Sequence, residues 1–224
     1  MTLTLALLIL ESVLLVFTIL LLLDSIKEGR ARSRLLLEVD RATKTFTRIE
    51  YFLSVVDSMN DARHEVTGLI TGRYPGGTDM KRTKDIVNAI RQAKKTGVEV
   101  KYLLPRFHDR LYIGCLYSNA GAEIRYSSCP MLHDLRYMTV DGRVAIIGIP
   151  EGTGEKEATK KGYKIISEGL NNVLKEHFNA CWATATPYPE YLKEVIRQTK
   201  ASPRQLAAEL KISEEDLQKF YRDA

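Results

Sequence analysis

The sequence predicts an α/β domain held by an N-terminal membrane anchor and followed by a small helical tail. Three observations carry this reading. Residues 2–23 form an apolar run, TLTLALLILESVLLVFTILLLL. Strand-like and helix-like segments alternate between residues 65 and 184, the pattern of a sheet with helices on its faces. An Asp141-Gly142 pair separates two apolar stretches, a strong hairpin signal.

The apolar run comes first. A helix over residues 2–23 reaches roughly 33 Å at 1.5 Å per residue, enough to cross the hydrocarbon core. It lacks the basic start, short apolar core and small-residue cleavage site of a secretory signal. Residues 1–24 are therefore expected to be a retained transmembrane anchor, with the lipid bilayer as a partner. Nothing basic precedes the run, whereas Lys27, Arg30, Arg32 and Arg34 follow it. Basic flanks stay inside, which places the N-terminus outside and the C-terminal domain in the cytoplasm. Glu11 lies mid-span and is either a contact to a partner helix or a protonated, tolerated side chain.

Composition narrows the function classes. The 224 residues carry a formal charge of +5, mildly basic rather than polybasic, and part of the excess lies beside the anchor. The three cysteines, Cys115, Cys129 and Cys181, match no disulfide framework or zinc motif and read as reduced thiols. Cys129 and His133 stand four apart, but no further ligand is near in sequence, so no metal and no cofactor is expected.

Residues 25–47 read as a juxtamembrane helical linker, within a helical stretch over 27–63 that has a single glycine, Gly29, and no proline. Leu35, Val39, Ala42, Phe46, Ile49, Leu53 and Val56 alternate steps of four and three, a seam for self-association or for packing on the domain's own sheet. Beyond it, Glu65–Gly72 reads as a buried strand, RYPGG as a turn, and residues 80–96 as a helix closed by Gly97. Strands follow at 98–104 and 122–126, with a short helix between them over 109–119. The hairpin pairs 135–140 with 143–149, a strand covers 163–167, and a helix runs from about 169 to 184. Residues 184–189 (TATPYP) look like a linker.

The ordered set resembles one lobe of the phospholipase D superfamily over residues 48–184. SVVDSMNDARHEV, AIRQAKKTGVEVKYLL and NAGAEIRY resemble the lobe's first helices and strands. DLRYMTVDGRVAIIGIPEG sits where that family has its motif hairpin, and HFNACW resembles the closing helix, with its packed Phe and Trp. The resemblance implies a mostly parallel mixed sheet flanked by helices. It also implies a site completed by two facing lobes, as a tandem pair or a homodimer, and a homo-oligomer is the expectation here. Active members of the family use a histidine nucleophile, a lysine and an aspartate, then a glycine, a serine and an asparagine on the next strand. Histidine attacks phosphorus, and the lysine and polar groups hold the developing charge. Aligned on Asp141 and Gly148, this chain has Asp134 at the histidine position and Arg136 at the lysine position. Ile149 and Glu151 replace the serine and asparagine.

Arg136 and Gly148 remain suited to an anion, whereas Asp134 and Glu151 would repel one. His133 is one position off, and on a strand it would side with Leu135 and Tyr137, away from Arg136. Asp134 and Arg136, two apart, read as an ion pair. GIPEGTGEK lacks the spacing of a phosphate loop and reads as a turn at the rim. GEKEATKKG reads as a solvated face.

The tail, residues 185–224, resembles a helix-turn-helix broken at Lys211-Ile212-Ser213. Its apolar positions are Leu206, Ala207, Leu210, Ile212, Leu217 and Phe220. Ser213 is a natural N-cap, but Glu214, Glu215 and Asp216 would repel DNA phosphates. Docking on the lobe or on a protein partner is favoured over nucleic acid. Three functions are thus expected in order: a non-catalytic, membrane-anchored binding or scaffolding module; an active homodimeric phosphodiesterase using His133; and a membrane-tethered transcription regulator using the tail.

Overall fold

The computed structural model describes residues 14–15, 17–21, 43–77, 79–129, 135–150 and 159–222. The chain divides into two compact units, Met1–Arg41 and Ala42–Ala224. In the first, the described residues between 14 and 21 are helical, with exposed Leu14, Leu15, Phe17, Leu20 and Leu21. Among the described residues no helix is long and apolar enough to cross a membrane. Most of the expected anchor, including Glu11, Lys27, Arg30, Arg32 and Arg34, lies outside the described residues.

The second unit is built on an eight-stranded sheet. The strands are β1 (Thr43–Thr47), β2 (Glu65–Leu69), β3 (Glu99–Pro105), β4 (Glu123–Ser127), β5 (Arg136–Val140), β6 (Val144–Pro150), β7 (Thr159–Ile166) and β8 (Thr186–Pro187). Their order is β1-β7-β6-β5-β2-β3-β4-β8. The helices are α1 (Arg48–Asn60), α2 (Asp79–Lys95), α3 (Leu111–Asn119), α4 (Glu168–Ala183), α5 (Tyr188–Thr199), α6 (Pro203–Leu210) and α7 (Glu214–Arg222).

The α/β class and the helix-flanked mixed sheet agree with the sequence. The balance of pairings does not. Only β2–β3 and β3–β4 are parallel; the other five neighbour pairs are antiparallel. One reason lies at Asp141-Gly142, where β5 turns directly into β6, and strands joined by so short a turn run in opposite directions.

Two further expectations are corrected. The helix expected through residues 27–63 is interrupted by β1, and Phe46 is buried on that strand rather than in a coiled-coil seam. The segment TKTFT is rich in Thr and Phe, which suit a pleated, half-buried surface. Thr47 then starts α1 with a capping box: its amide donates to the Glu50 carboxylate at 2.8 Å, and its hydroxyl accepts from the Glu50 amide. Second, part of the expected linker at 184–189 forms β8 on β4, and part of GEKEATKKG belongs to β7.

The sheet has two apolar faces. One carries Val66, Val100, Tyr102, Tyr126, Met138 and Ile146, covered by helices α1, α2, α3 and α5, with Met59 of α1 and Ile90 of α2 packed into it. The other carries Leu69, Leu103, Tyr137 and Ala145 beneath Leu174 and Phe178 of α4. The tail belongs to the first core: Leu206, Ala207, Leu210 and Leu217 are buried in it, and Phe220 meets Tyr188 edge-on at 5.0 Å. Lys211 adopts a left-handed conformation (φ 56°) between α6 and α7, and Ser213 accepts from the Asp216 amide at 3.0 Å.

Candidate functional site

The hairpin organises the site. Asp141 and Gly142 both have positive φ (51° and 64°), so β5 reverses tightly into β6. The register then sets Arg136 opposite Gly148, Gly148 opposite Gly162, and Gly162 opposite Phe46. Directly opposed residues share a face, so these four form one row across the sheet. Tyr51 of α1 lies over this row. A Cβ on Gly162 would sit 2.4 Å from the Tyr51 ring, so only glycine admits that ring. Tyr137, the next residue along β5, points to the opposite face and joins Leu135 in the cluster under α4.

Arg136 and Tyr51 line a cavity of about 240 Å³. It sits beside the carboxyl end of β2, where α/β sheets usually bind ligands. Its walls include Phe52, Val55, Tyr102, Tyr117 and Met138, and its rim is formed by residues 70–75. Among the described lining residues the charged groups are Arg48, Arg73, Arg136 and Asp79. Asp79 is bound by Arg48 and by Arg82, the latter at 2.8 Å. Arg110 lies just outside the lining but within electrostatic reach of Arg136.

Burial lowers the Arg136 guanidinium from its ordinary value, and the neighbouring Arg73, Arg110 and Arg48 push the same way, while Tyr51 opposes them. Arginine remains protonated through such a shift. The result is a half-buried site of net positive charge, with Arg48 held by Asp79 and Arg110 by Asp109, that attracts an anion. Burial pushes the Tyr51 hydroxyl up to about 12, with Arg136 pulling it down. At neutral pH it is therefore a hydrogen-bond donor, suited to a phosphate oxygen and poor as a nucleophile.

Asp141 has a different task. Its carboxylate accepts from the amides of Arg63, His64 and Glu65 at 2.9, 2.8 and 2.9 Å. Burial would raise this carboxyl, but the three backbone donors outweigh it and hold it below its ordinary value. Asp141 thus pins the hairpin to the start of β2, and the Glu65 carbonyl accepts from its amide at 3.0 Å.

Of the residues singled out in the sequence, Arg136 and Gly148 are together at the cavity end of the hairpin, and Asp141 is at the other end. Ile149, at the serine position, is exposed. His133, Asp134 and Glu151 lie outside the described residues. Arg48, Tyr51 and Arg73 were not recognised from sequence, because they reach Arg136 only through the strand order. The Thr47–Glu50 capping box, which fixes where α1 begins beside them, is a local signal that could have been read.

Three side chains of metal-ligating type also meet, in a combination other than the Cys129 and His133 spacing considered from the sequence. Cys129 meets His177 and Cys181 of α4 rather than forming a pair read from its own neighbourhood in sequence.

No family model matches this chain, and no curated protein matches it in sequence. Solved structures do match it. Nuc, a phospholipase D family member from Salmonella typhimurium, is 18% identical, with 66% of this chain and 97% of that chain covered and a TM-score of 0.50. NucT from Helicobacter pylori is 12% identical, with coverage of 65% and 98% and a TM-score of 0.49. TrmBL2, an archaeal chromatin protein, is 17% identical, with coverage of 73% and 64% and a TM-score of 0.48. The two-faced sheet, the Arg136–Gly148 hairpin pair and the likeness to Nuc lead to one statement about architecture: this chain has the fold of a phospholipase D-like lobe.

Proposed function

We propose that this lobe binds a phosphate-bearing ligand at the Arg136 cavity without hydrolysing it, and that residues 2–23 tether it to a membrane. The observation that carries the reading is the convergence of Arg48, Arg73 and Arg136 on one aromatic-walled cavity. Guanidinium forks match phosphate oxygens in geometry as well as charge. The motif substitutions support binding over turnover: an acid, Asp134, replaces the nucleophile, and Ile149 contributes no hydrogen bond. Tyr51, which lines the same cavity, is protonated at neutral pH and so donates a hydrogen bond rather than attacking phosphorus.

Self-association is part of this reading. The described residues form one lobe, and Ile49 and Leu53, two positions of the heptad seam, are both 57% exposed on α1 beside Phe52 and Val56. The active-phosphodiesterase alternative rests on His133 being re-aimed into the cavity.

The test uses the full chain in detergent with bis(p-nitrophenyl) phosphate as both ligand and substrate. Saturable binding without turnover is expected, and Arg136→Ala should weaken it. One hydrogen-bonded charge is worth about 1.5–3 kcal/mol, or roughly 10- to 150-fold. Turnover that His133→Ala abolishes would establish the enzyme reading instead. Binding unchanged in Arg136→Ala would remove the cavity from consideration.

A further inference from the structure

On the opposite face of the sheet, three potential metal ligands meet. Cys129 follows the carboxyl end of β4, and its amide donates to the Ser127 hydroxyl at 3.1 Å. His177 and Cys181 are four apart on α4 and so share one helix face. The ligand atoms of the three lie within 4.8 Å of one another. His177 Nε2 is 3.4 Å from Cys129 Sγ and 3.6 Å from Cys181 Sγ, and the two sulfurs are 2.6 Å apart.

A hydrogen-bond chain fixes the histidine tautomer. The Tyr137 hydroxyl donates to the Leu174 carbonyl at 2.9 Å. Its oxygen therefore faces His177 Nδ1, 3.1 Å away, as an acceptor. With the proton on Nδ1, the Nε2 lone pair points at the two sulfurs. Metal-bound histidines are held in this way, with the far ring nitrogen donating to a second group that sets the ring's orientation.

We propose that Cys129, His177 and Cys181 form a zinc-binding site. Two thiolates neutralise the divalent ion in a half-buried place, and sulfur with imidazole nitrogen is the donor set zinc prefers. With Zn–S near 2.3 Å and Zn–N near 2.0 Å, a tetrahedral ion separates S and N ligands by roughly 3.5 Å. The two distances to Nε2, 3.4 and 3.6 Å, already match this edge. Ion entry spreads the sulfurs from 2.6 Å to roughly 3.8 Å, one side of the same tetrahedron. Cys129 and Cys181 also line a cleft with Arg106, Ser127 and Thr184, a route by which water reaches the ion to complete four-coordination. Loading by two thiolates displaces two thiol protons. This site lies across the sheet from the Arg136 cavity, with Tyr137 between them.

The experiment is metal analysis of the purified full chain, with cobalt(II) substitution read by sulfur-to-metal charge-transfer absorption, alongside a thiol titration under denaturing, metal-chelated conditions. One zinc per chain is expected, with all three thiols titratable once the metal is removed. Cys129→Ser and His177→Gln should each lose the stoichiometric ion and the charge-transfer band, and Cys115→Ser should retain both. Tyr137→Phe keeps every ligand and should weaken zinc by about 10- to 100-fold. A metal-free chain with two thiols missing until reductant is added would mean a Cys129–Cys181 disulfide and overturn the site. Three free thiols with no zinc uptake, or zinc retained equally in His177→Gln, would overturn it as well.

Discussion

The sequence reading aligns Asp141 with the aspartate of the phospholipase D motif, whereas its geometry assigns it to folding. The informative perturbation is a pair of substitutions, Asp141→Asn and Asp141→Ala. The carboxylate accepts three backbone hydrogen bonds, from Arg63, His64 and Glu65. A bond to a charged group is worth about 1.5–3 kcal/mol when buried, and nearer 1 kcal/mol where solvent competes, as at this turn. Three such bonds come to about 3 kcal/mol. Alanine also lacks the side-chain oxygen that eases a left-handed backbone, which adds roughly 1 kcal/mol at φ 51°. Asparagine tolerates that backbone and keeps one oxygen, enough for the His64 and Glu65 amides that share Oδ1. It loses the Arg63 bond and should cost about 1–2 kcal/mol.

The assay is urea unfolding followed by fluorescence of Trp182, the single tryptophan, which stacks on Phe178 at 5.2 Å. The expected order is wild type, then asparagine, then alanine. The pH dependence has a definite sign. The folded-state pKa lies below the unfolded one. Its contribution is therefore complete above the unfolded value of about 3.9 and disappears as pH falls through the folded value. The gap between wild type and Asp141→Asn should close in that acid window and stay constant from there to neutrality. If Asp141→Ala unfolds within about 0.5 kcal/mol of wild type, the structural role is wrong and a purely functional one must be considered.

Two other substitutions test the architecture around the site and the tail. Gly162→Ala places a Cβ 2.4 Å from the Tyr51 ring; it should cost about 1–3 kcal/mol as an overpacked contact and, by shifting Tyr51, weaken bis(p-nitrophenyl) phosphate binding in the same preparation. Binding and stability both at wild-type values would show that Tyr51 does not form the cavity wall. Leu217→Ala, at a fully buried position of α7, should cost about 2–5 kcal/mol and move the Trp182 transition of the whole lobe. A shift confined to helix content, with that transition unchanged, would mark the tail as an independent appendage.

Much of the fold was legible because its signals are local. The Asp141-Gly142 hairpin, the helix ending near Gly97 and the strand stopped by Pro105 depend on backbone conformations that a few adjacent residues impose. The face alternation along β5 was equally readable, since Arg136 and Tyr137 must point apart. The misread stretch was 27–63, where an apolar period was followed through a Thr-rich strand. The Thr47–Glu50 capping box argued against that continuity at short range. The parallel share of the sheet was overestimated because alternation of element types does not fix strand order.

By itself, the sequence determined the α/β class, the apolar N-terminal segment and the hairpin at Asp141-Gly142. Tertiary structure decided which side chains share a cavity. Arg48, Arg73 and Arg136 come together because β5 inserts beside β2 while α1 crosses above the Gly148–Gly162 row. Cys129 meets His177 and Cys181 because α4 returns beneath the end of β4. Hydrogen-bonding and hydrophobic periods act over a few residues and leave a trace in the chain. The meeting of distant groups depends on how strands order themselves, which the burial of both sheet faces settles only when the whole core assembles.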